Sequence, residues 1–287
     1  MSALPSRDLG GILGEAFRVY VRNFWHLLAM VAIVEVGLAV LSQAVPLAMF
    51  GSVVVVRDWT WIGTVGVMLI VWAVVVLVAT LVLYPFMEGA VIHATAEQHF
   101  AALGVGRSYR FAWKRIGALV GASVLVALFM LAIVVAAGLA GFALTVALGG
   151  IGIALSVLLG LGALVATLYF SIRWAFIWQA VILDGRGARS ALSRSDELVQ
   201  GNWWRVLGIL LVLWLIVMGV NVAVGLFTWW LPAIATSIVN TVVAIVVLPI
   251  PIVAATLLYY DLRLKREGCT VEAVAQDIGW VPVDGSA

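Results

Sequence analysis

Long apolar runs separated by short polar segments dominate this chain. A helix needs about 20 apolar residues to cross a bilayer core about 30 Å thick. Six runs reach that length, at residues 24–45, 62–84, 116–137, 151–176, 206–227 and 232–260. The second run continues to about Thr95, and the third and fourth extend toward the glycines at 149 and 150. The pattern predicts an all-α, polytopic membrane protein with six transmembrane helices.

The polar segments that precede the odd-numbered runs have helical periodicity of their own. In the first, Ile12, Ala16 and Tyr20 share one face, while Glu15 and Arg18 point elsewhere. Each such segment ends in an aromatic or basic cluster, NFWHLL, WKRIGAL or NWWRVLG, before the next apolar run begins. The clusters recur about every 90 residues, a period that suggests repeated units.

This repeat predicts three hairpin units, each preceded by a cytosolic interfacial amphipathic helix. The units cover about residues 9–95, 105–183 and 188–262 of a membrane domain at 1–262, and residues 263–287 form a cytosolic tail. The alternative is that any protein of hairpins with basic inner loops would show the same pattern.

Composition and charge place the chain relative to the membrane. Hydrophobic residues make up 65% of the chain and charged ones 10%, which excludes a soluble domain, and a net charge of +2 gives no reason to expect nucleic acid. Fourteen of the 16 basic residues lie before the first run, between the second and third, between the fourth and fifth, or after the sixth. By the positive-inside rule, both termini are predicted to be cytosolic.

The inner ends of the runs carry cationic and aromatic side chains suited to lipid headgroups. Basic residues near an anionic membrane surface each contribute about 1 kcal/mol of attraction, and tryptophan favours headgroup depth. The residues predicted to bind anionic headgroups are Arg18, Arg22, Arg110, Lys114, Arg189, Trp203, Trp204 and Arg205.

Three ionisable residues fall inside the apolar runs, where a charge is costly. Glu35 lies about 16 Å along its run at helical rise, and Glu88 and Arg173 lie in the cytosolic halves of theirs. We expect a polar pocket open to the cytosol in which Glu88 pairs with Arg173. Glu35 and the helix breaks at Pro85, Pro249 and Pro251 are also assigned to it. The alternative is a buried pair that only fixes helix packing. Asn221 and Asn240 could equally bond between helices or line a path.

No arrangement of side chains in the sequence predicts catalysis, and no cofactor is expected. His93, Glu97 and His99 do not match a zinc motif, because only the first two share a helical face. Asp261, Arg263 and Glu267, in DLRLKREG, could dock a protein partner, or could serve only as stop-transfer and helix-capping charges.

Three stretches of the sequence carry a family resemblance. They are SDELVQGNWWRVLGILL at 195–211, LLYYDLRLKREG at 257–268 and LGEAFRVYVRNFW at 13–25. Together they resemble the membrane domain of glycerophosphoryl diester phosphodiesterase and its stand-alone relatives. In the namesake proteins that domain precedes a catalytic barrel, which the some 25 residues after Tyr260 are too few to form.

The resemblance implies a prokaryotic plasma (inner) membrane protein in a lipid-related or scaffolding setting. The function predicted from the sequence is a membrane scaffold or assembly module that binds lipid headgroups and an unknown protein partner. The alternative is a transporter or lipid-handling protein that uses the pocket around Glu88 and Arg173.

Overall fold

The computed structural model describes residues 9–53, 60–97 and 104–267, and every regular element there is helical. The predicted all-α class is therefore confirmed for the described residues. The helices are α1 Leu9–Arg22, α2 Phe24–Val53, α3 Thr60–Val78, α4 Tyr84–Glu97, α5 Val105–Lys114, α6 Ile116–Leu148, α7 Gly150–Arg173, α8 Ile177–Ile182, α9 Ala188–Val199, α10 Trp203–Thr228, α11 Ala233–Val247 and α12 Pro249–Glu267.

A short helix, a long helix and an interrupted helix follow one another three times along the chain. The short helices are α1, α5 and α9, and the long ones are α2, α6 and α10. The interruptions are a π-helical turn at Ala79–Leu83 between α3 and α4, residues 174–176 between α7 and α8, and Leu248 between α11 and α12. Prolines 85 and 249 lie at the starts of α4 and α12, where the missing N–H costs least.

Within the described ranges, six helices are long and apolar enough to cross a membrane, which is the predicted number. Three of them, at Gly66–Glu97, Gly150–Ile182 and Ile234–Arg266, have 32, 33 and 33 residues. At 1.5 Å per residue each measures about 50 Å, whereas the hydrocarbon core is about 30 Å thick. Each interrupted helix is therefore about 20 Å longer than the hydrocarbon core is thick.

Side-chain burial divides the molecule into two parts. In the first, which we call the base, α4, α8 and α12 are enclosed by α1, α5 and α9, and large side chains such as Met87, Phe176 and Tyr259 are fully buried. In the second, the apolar half, α3, α6, α7, α10 and α11 expose leucine, isoleucine and valine along most of their length. A surface this apolar is stable only against lipid, so the apolar half is the part that crosses the membrane.

Two tyrosine hydroxyl groups attach the short helices α1 and α5 to the membrane-length helices α11 and α2. Tyr20 of α1 donates to the carbonyl oxygen of Val246 at 2.9 Å, and Tyr109 of α5 donates to that of Met30 at 2.5 Å. Burial raises the pKa of Tyr20, and it raises the pKa of Tyr109 to about 12. Both hydroxyl groups therefore remain neutral hydrogen-bond donors at physiological pH.

The pair α6 and α7 forms a tight antiparallel hairpin around Gly149, whose φ of +55° favours glycine. The hydroxyl oxygen of Ser156 on α7 lies 2.6 Å from the carbonyl oxygen of Gly141 and 2.9 Å from the Thr145 hydroxyl oxygen on α6. Close to the turn, a Cβ atom at Gly152 would stand 2.0 Å from the carbonyl oxygen of Leu144. The hairpin thus depends on glycine at that position.

Gly152→Ala is expected to lower the free energy of unfolding by about 1–3 kcal/mol, because the backbone must move to admit the methyl group. Thermal denaturation of the protein in nanodiscs measures the effect. Gly160→Ala on the same helix is the control, since a Cβ there meets nothing within 4 Å. Equal melting temperatures for the two variants would contradict this packing.

Candidate functional site

The centre of the base is a carboxylate shared by two arginines. Asp184 follows α8, and its Oδ2 accepts a hydrogen bond from Nε of Arg194 on α9 at 2.6 Å. Its Oδ1 lies 3.1 Å from a guanidinium nitrogen of Arg263 on α12. The side chains of Asp184 and Arg263 are only 7% and 9% exposed. One buried carboxylate therefore joins α8, α9 and α12.

The motif residues Ser195 and Asp196 close the interruption between α7 and α8. The N–H of Phe176 donates to the Ser195 hydroxyl at 3.1 Å, and that hydroxyl donates to the carbonyl oxygen of Arg173 at 2.8 Å. Asp196 forms a bidentate ion pair with the guanidinium group of Arg173. Backbone groups that the helix break leaves without helical partners thus find them on α9.

The predicted pair between Glu88 and Arg173 is wrong, because Arg173 pairs with Asp196. The 24 residues of α7 span about 36 Å, which is enough for the bilayer core, so Arg173 lies at the end of α7 beside α9. Glu88 is half-buried in the base and forms no ion pair with a described residue.

Basic side chains also join the start of α10 to the end of α12. Arg205 donates to Oδ2 of Asp261 at 2.6 Å, and the ammonium group of Lys265 lies 3.7 Å from the same oxygen. Arg266 also reaches back and donates to the carbonyl oxygen of Gln200 at 2.6 Å. NWWR and YYDLRLKR are therefore the two sides of one contact within the chain.

This contact corrects two predictions and weakens a third. Asp261 and Arg263 are 7% exposed and paired inside the base, so they do not present a docking surface to a partner. The charge of Arg205 is already compensated by Asp261, so the structure gives no support to a headgroup contact for Arg205. The side chain of Glu267 lies outside those described.

Polar groups also join α4 to α5. Nε of Arg107 lies 2.7 Å from Oε1 of Glu97, and Nδ1 of His93 lies 3.4 Å from the Ser108 hydroxyl oxygen. The His93 ring packs against Phe111 with the ring centres 4.1 Å apart. His99 is outside the described residues, and the residues that the structure describes contain no group of three or more possible metal ligands. His93 and Glu97 act as contacts between helices.

The other predicted headgroup residues lie on the surface of the molecule, at Arg18, Arg22, Arg110, Lys114, Arg189 and Trp204. Trp203 is half-buried, with its ring 5.9 Å from that of Tyr169. Trp25, Trp113 and Trp204 are 77%, 62% and 79% exposed. Each of these three tryptophans stands close to the break between a short helix and the long helix that follows it.

A cavity of about 810 Å³ opens between α2, α3, α10 and α11 in the apolar half. Its lining includes Glu35, Trp72, Thr80, Tyr84, Asn221 and Asn240. Of the six residues predicted to form a polar pocket, Glu35 lines this cavity, whereas Glu88, Arg173, Pro85, Pro249 and Pro251 do not.

The cavity also lies at a different depth from the predicted pocket. Thr236 and Ser237 belong to the first turns of α11, next to the connection with α10, and they line it. The cavity therefore extends from Tyr84, at the start of α4, toward the end of the molecule opposite to the basic clusters. Glu88 and Arg173 do not line it and lie in or beside the base.

Glu35 is buried within this cavity wall, with 7% of its surface exposed. Among the residues that the structure describes, its Oε1 has no hydrogen-bond partner, and its carboxyl group interacts with the hydroxyl group of Tyr84. Sequence reasoning missed Trp72, Thr80 and Tyr84 as lining residues. Thr80 lies within the π-helical turn and Tyr84 directly after it, and no sequence signal had indicated that turn.

Six membrane-length helices, three of them continuing into a sealed base, define a multi-pass helical membrane protein. The family described as Domain of unknown function (DUF7847) matches residues 105–262, more than half of the chain, and the chain belongs to this family. The match runs from the start of α5 into α12 and includes Asp184, Asp196, Arg205 and Asp261. No curated protein and no solved structure matches the chain significantly.

Proposed function

We propose that this protein is a plasma (inner) membrane module of three hairpin units, with both termini in the cytosol, whose base binds anionic lipid headgroups and acts as a scaffold. The threefold order of short, long and interrupted helices supports the units. The grouping of basic residues at the base supports the orientation. The resemblance to the membrane domain of glycerophosphoryl diester phosphodiesterase is consistent with a lipid-related setting.

The observation that carries this proposal is the recurrence of an exposed tryptophan beside exposed cations. Trp113 stands next to Lys114 and close to Arg110, and Trp25 follows the exposed Arg22 by three positions. Tryptophan rings favour headgroup depth, and cations there attract anionic lipids. The edge of the base therefore has the chemistry of a headgroup-binding rim.

The ion pairs inside the base are suited to holding its helices together. Arg173, Arg194, Arg205 and Arg263 form ion pairs inside the chain, so those charges fix the helices relative to one another. A protein partner of this scaffold would bind the exposed rim, since Asp261 and Arg263 face inward.

Neutralising Arg110, Lys114 and Arg189 together as glutamines is expected to weaken retention of phosphatidylglycerol by about fivefold for each residue replaced. Native mass spectrometry of protein extracted from nanodiscs of mixed phosphatidylglycerol and phosphatidylcholine measures the lipid that stays bound.

The matched control replaces Arg110 and Arg189 with lysine, which keeps the charge and should keep the lipid. A second readout is the salt dependence, which should decrease in the glutamine variant because fewer charges are screened. Unchanged phosphatidylglycerol retention in the glutamine variant would refute the headgroup-binding proposal.

A second candidate function is transport or lipid handling within the membrane. The Glu35 cavity is the specific observation that favours it, because buried acids that lack a partner in membrane helices commonly mark substrate or ion paths.

A further inference from the structure

The Glu35 cavity has the size of a small-molecule site. Its volume of about 810 Å³ is in the range of pockets that hold drug-sized ligands, and it is far larger than a bound metal ion requires. Four helices build its wall, and the lining combines aliphatic side chains with hydroxyl, amide and carboxyl groups.

The carboxyl group of Glu35 lacks a counter-charge in this wall. No lysine, arginine or histidine is among the described residues that line the cavity. Oε1 of Glu35 is buried without a hydrogen-bond partner, although a buried polar atom normally has one. A ligand that donates hydrogen bonds and carries positive charge would satisfy this oxygen.

Several other polar groups of the wall already donate their hydrogens within the protein. The hydroxyl groups of Thr80 and Thr241 each donate to a backbone carbonyl of their own helix at 2.8 Å, and the Thr236 hydroxyl donates to Thr228 at 3.3 Å. Nδ2 of Asn221 likewise donates to Val217 at 2.8 Å. Because the hydrogens of the three threonine hydroxyl groups are occupied, these groups offer a ligand oxygen lone pairs, as does the amide oxygen of Asn221.

Aromatic rings complete the site. Trp72 and Tyr84 line the same cavity, and aromatic faces attract cations, most strongly where water is excluded. An ammonium group has three donors and no acceptor, so it matches a carboxylate flanked by hydroxyl oxygens and aromatic rings. The aliphatic remainder of the lining suits an attached hydrocarbon chain.

We propose that this cavity binds a primary ammonium group on an apolar tail, with Glu35 as its counter-ion. The ligand is either a free alkylamine or the headgroup of an aminolipid such as phosphatidylethanolamine. This site is separate from the headgroup-binding rim proposed for anionic lipids, because none of the rim residues Arg110, Lys114 and Arg189 lines the cavity.

The first test uses the full-length protein in nanodiscs of phosphatidylcholine, which has no primary amine. Octylammonium is titrated, and octanol is titrated in parallel as a neutral probe of similar size. Saturable binding of octylammonium that exceeds octanol binding by about tenfold or more is expected. Equal binding of the two would show an apolar cavity only and would overturn the proposal, and this comparison needs no variant.

The second test uses Glu35→Gln, which keeps the shape and removes the charge. It should weaken octylammonium binding by about tenfold or more, while Glu197→Gln, at an exposed carboxyl group on α9, should leave it unchanged. Retained binding in Glu35→Gln would overturn the proposal. If that variant does not fold, Thr80→Val removes one acceptor and should weaken the amine while sparing octanol.

The third test separates the two sources of the amine. In nanodiscs containing phosphatidylethanolamine, native mass spectrometry should show that lipid bound to the wild type, displaced by octylammonium and absent from Glu35→Gln. Octylammonium binding without phosphatidylethanolamine retention would assign the site to free amines. Displacement of octylammonium by sodium ions at equal concentration would instead show a metal-ion site and contradict the proposal.

Discussion

Replacing Asp184 with alanine is expected to lower the free energy of unfolding by about 3 kcal/mol, more than any other single change considered for this protein. The substitution removes the carboxylate that Arg194 and Arg263 share, and their side chains are only 14% and 9% exposed. Two cations would then remain close together in the base without their common counter-charge. Denaturation of the purified protein in mixed micelles measures the loss.

The matched control for Asp184 is Glu197→Ala. Glu197 lies 3.9 Å from the same Arg194, but its side chain is 61% exposed, so its loss should change stability by less than about 0.5 kcal/mol. Adding Arg194→Leu and Arg263→Met to Asp184→Ala should recover much of the loss, because the stranded charges are then absent. A loss as small as that of Glu197→Ala would contradict the shared-carboxylate arrangement.

Reversing the charge of Arg173 is expected to have the second largest effect, a loss of about 2 kcal/mol. Arg173→Glu places a carboxylate against Asp196, where the structure has a bidentate ion pair. The pair is partly exposed, at 29% and 31%, so the effect is smaller than at Asp184.

A second substitution that restores the stability of Arg173→Glu identifies the residue that pairs with Arg173. Adding Asp196→Arg should restore most of the lost melting temperature, since the ion pair is rebuilt in the opposite sense. Adding Glu88→Arg should not restore it, because Glu88 forms no ion pair with Arg173. Rescue by Glu88→Arg alone would favour the pairing expected from the sequence over the one in the structure.

Hydrophobic periodicity predicted the six membrane-length helices and the break before Pro249, because both follow from local composition. It also singled out Glu35, since a carboxylate inside an apolar run is unusual whatever surrounds it. The partners of Arg173 and Arg205 were missed for a physical reason. Asp196 and Asp261 are 23 and 56 residues away, and their pairing depends on how helices pack in the base.

Composition alone also could not predict whether the ionisable residues lie in the membrane or in the base. Residues 84–97 are apolar enough to continue a membrane span, yet nearly every side chain of α4 is covered by other helices. Apolar sequence fits lipid and a protein core equally well, so length alone could not separate the two. Glu88 was therefore assigned to the membrane when it belongs to the base.

The hydrogen bond between Tyr20 and Val246 joins residues 226 positions apart. At the usual rate of about 5–20 residues per second, the ribosome takes roughly 10–45 s to make that stretch. Throughout that interval α1 lacks α11 and α12, two helices that it contacts in the finished structure, and lipid is a suitable cover for its apolar face. The apolar face of α1 can therefore bind lipid while the rest of the chain is synthesised, and it packs against protein only afterwards.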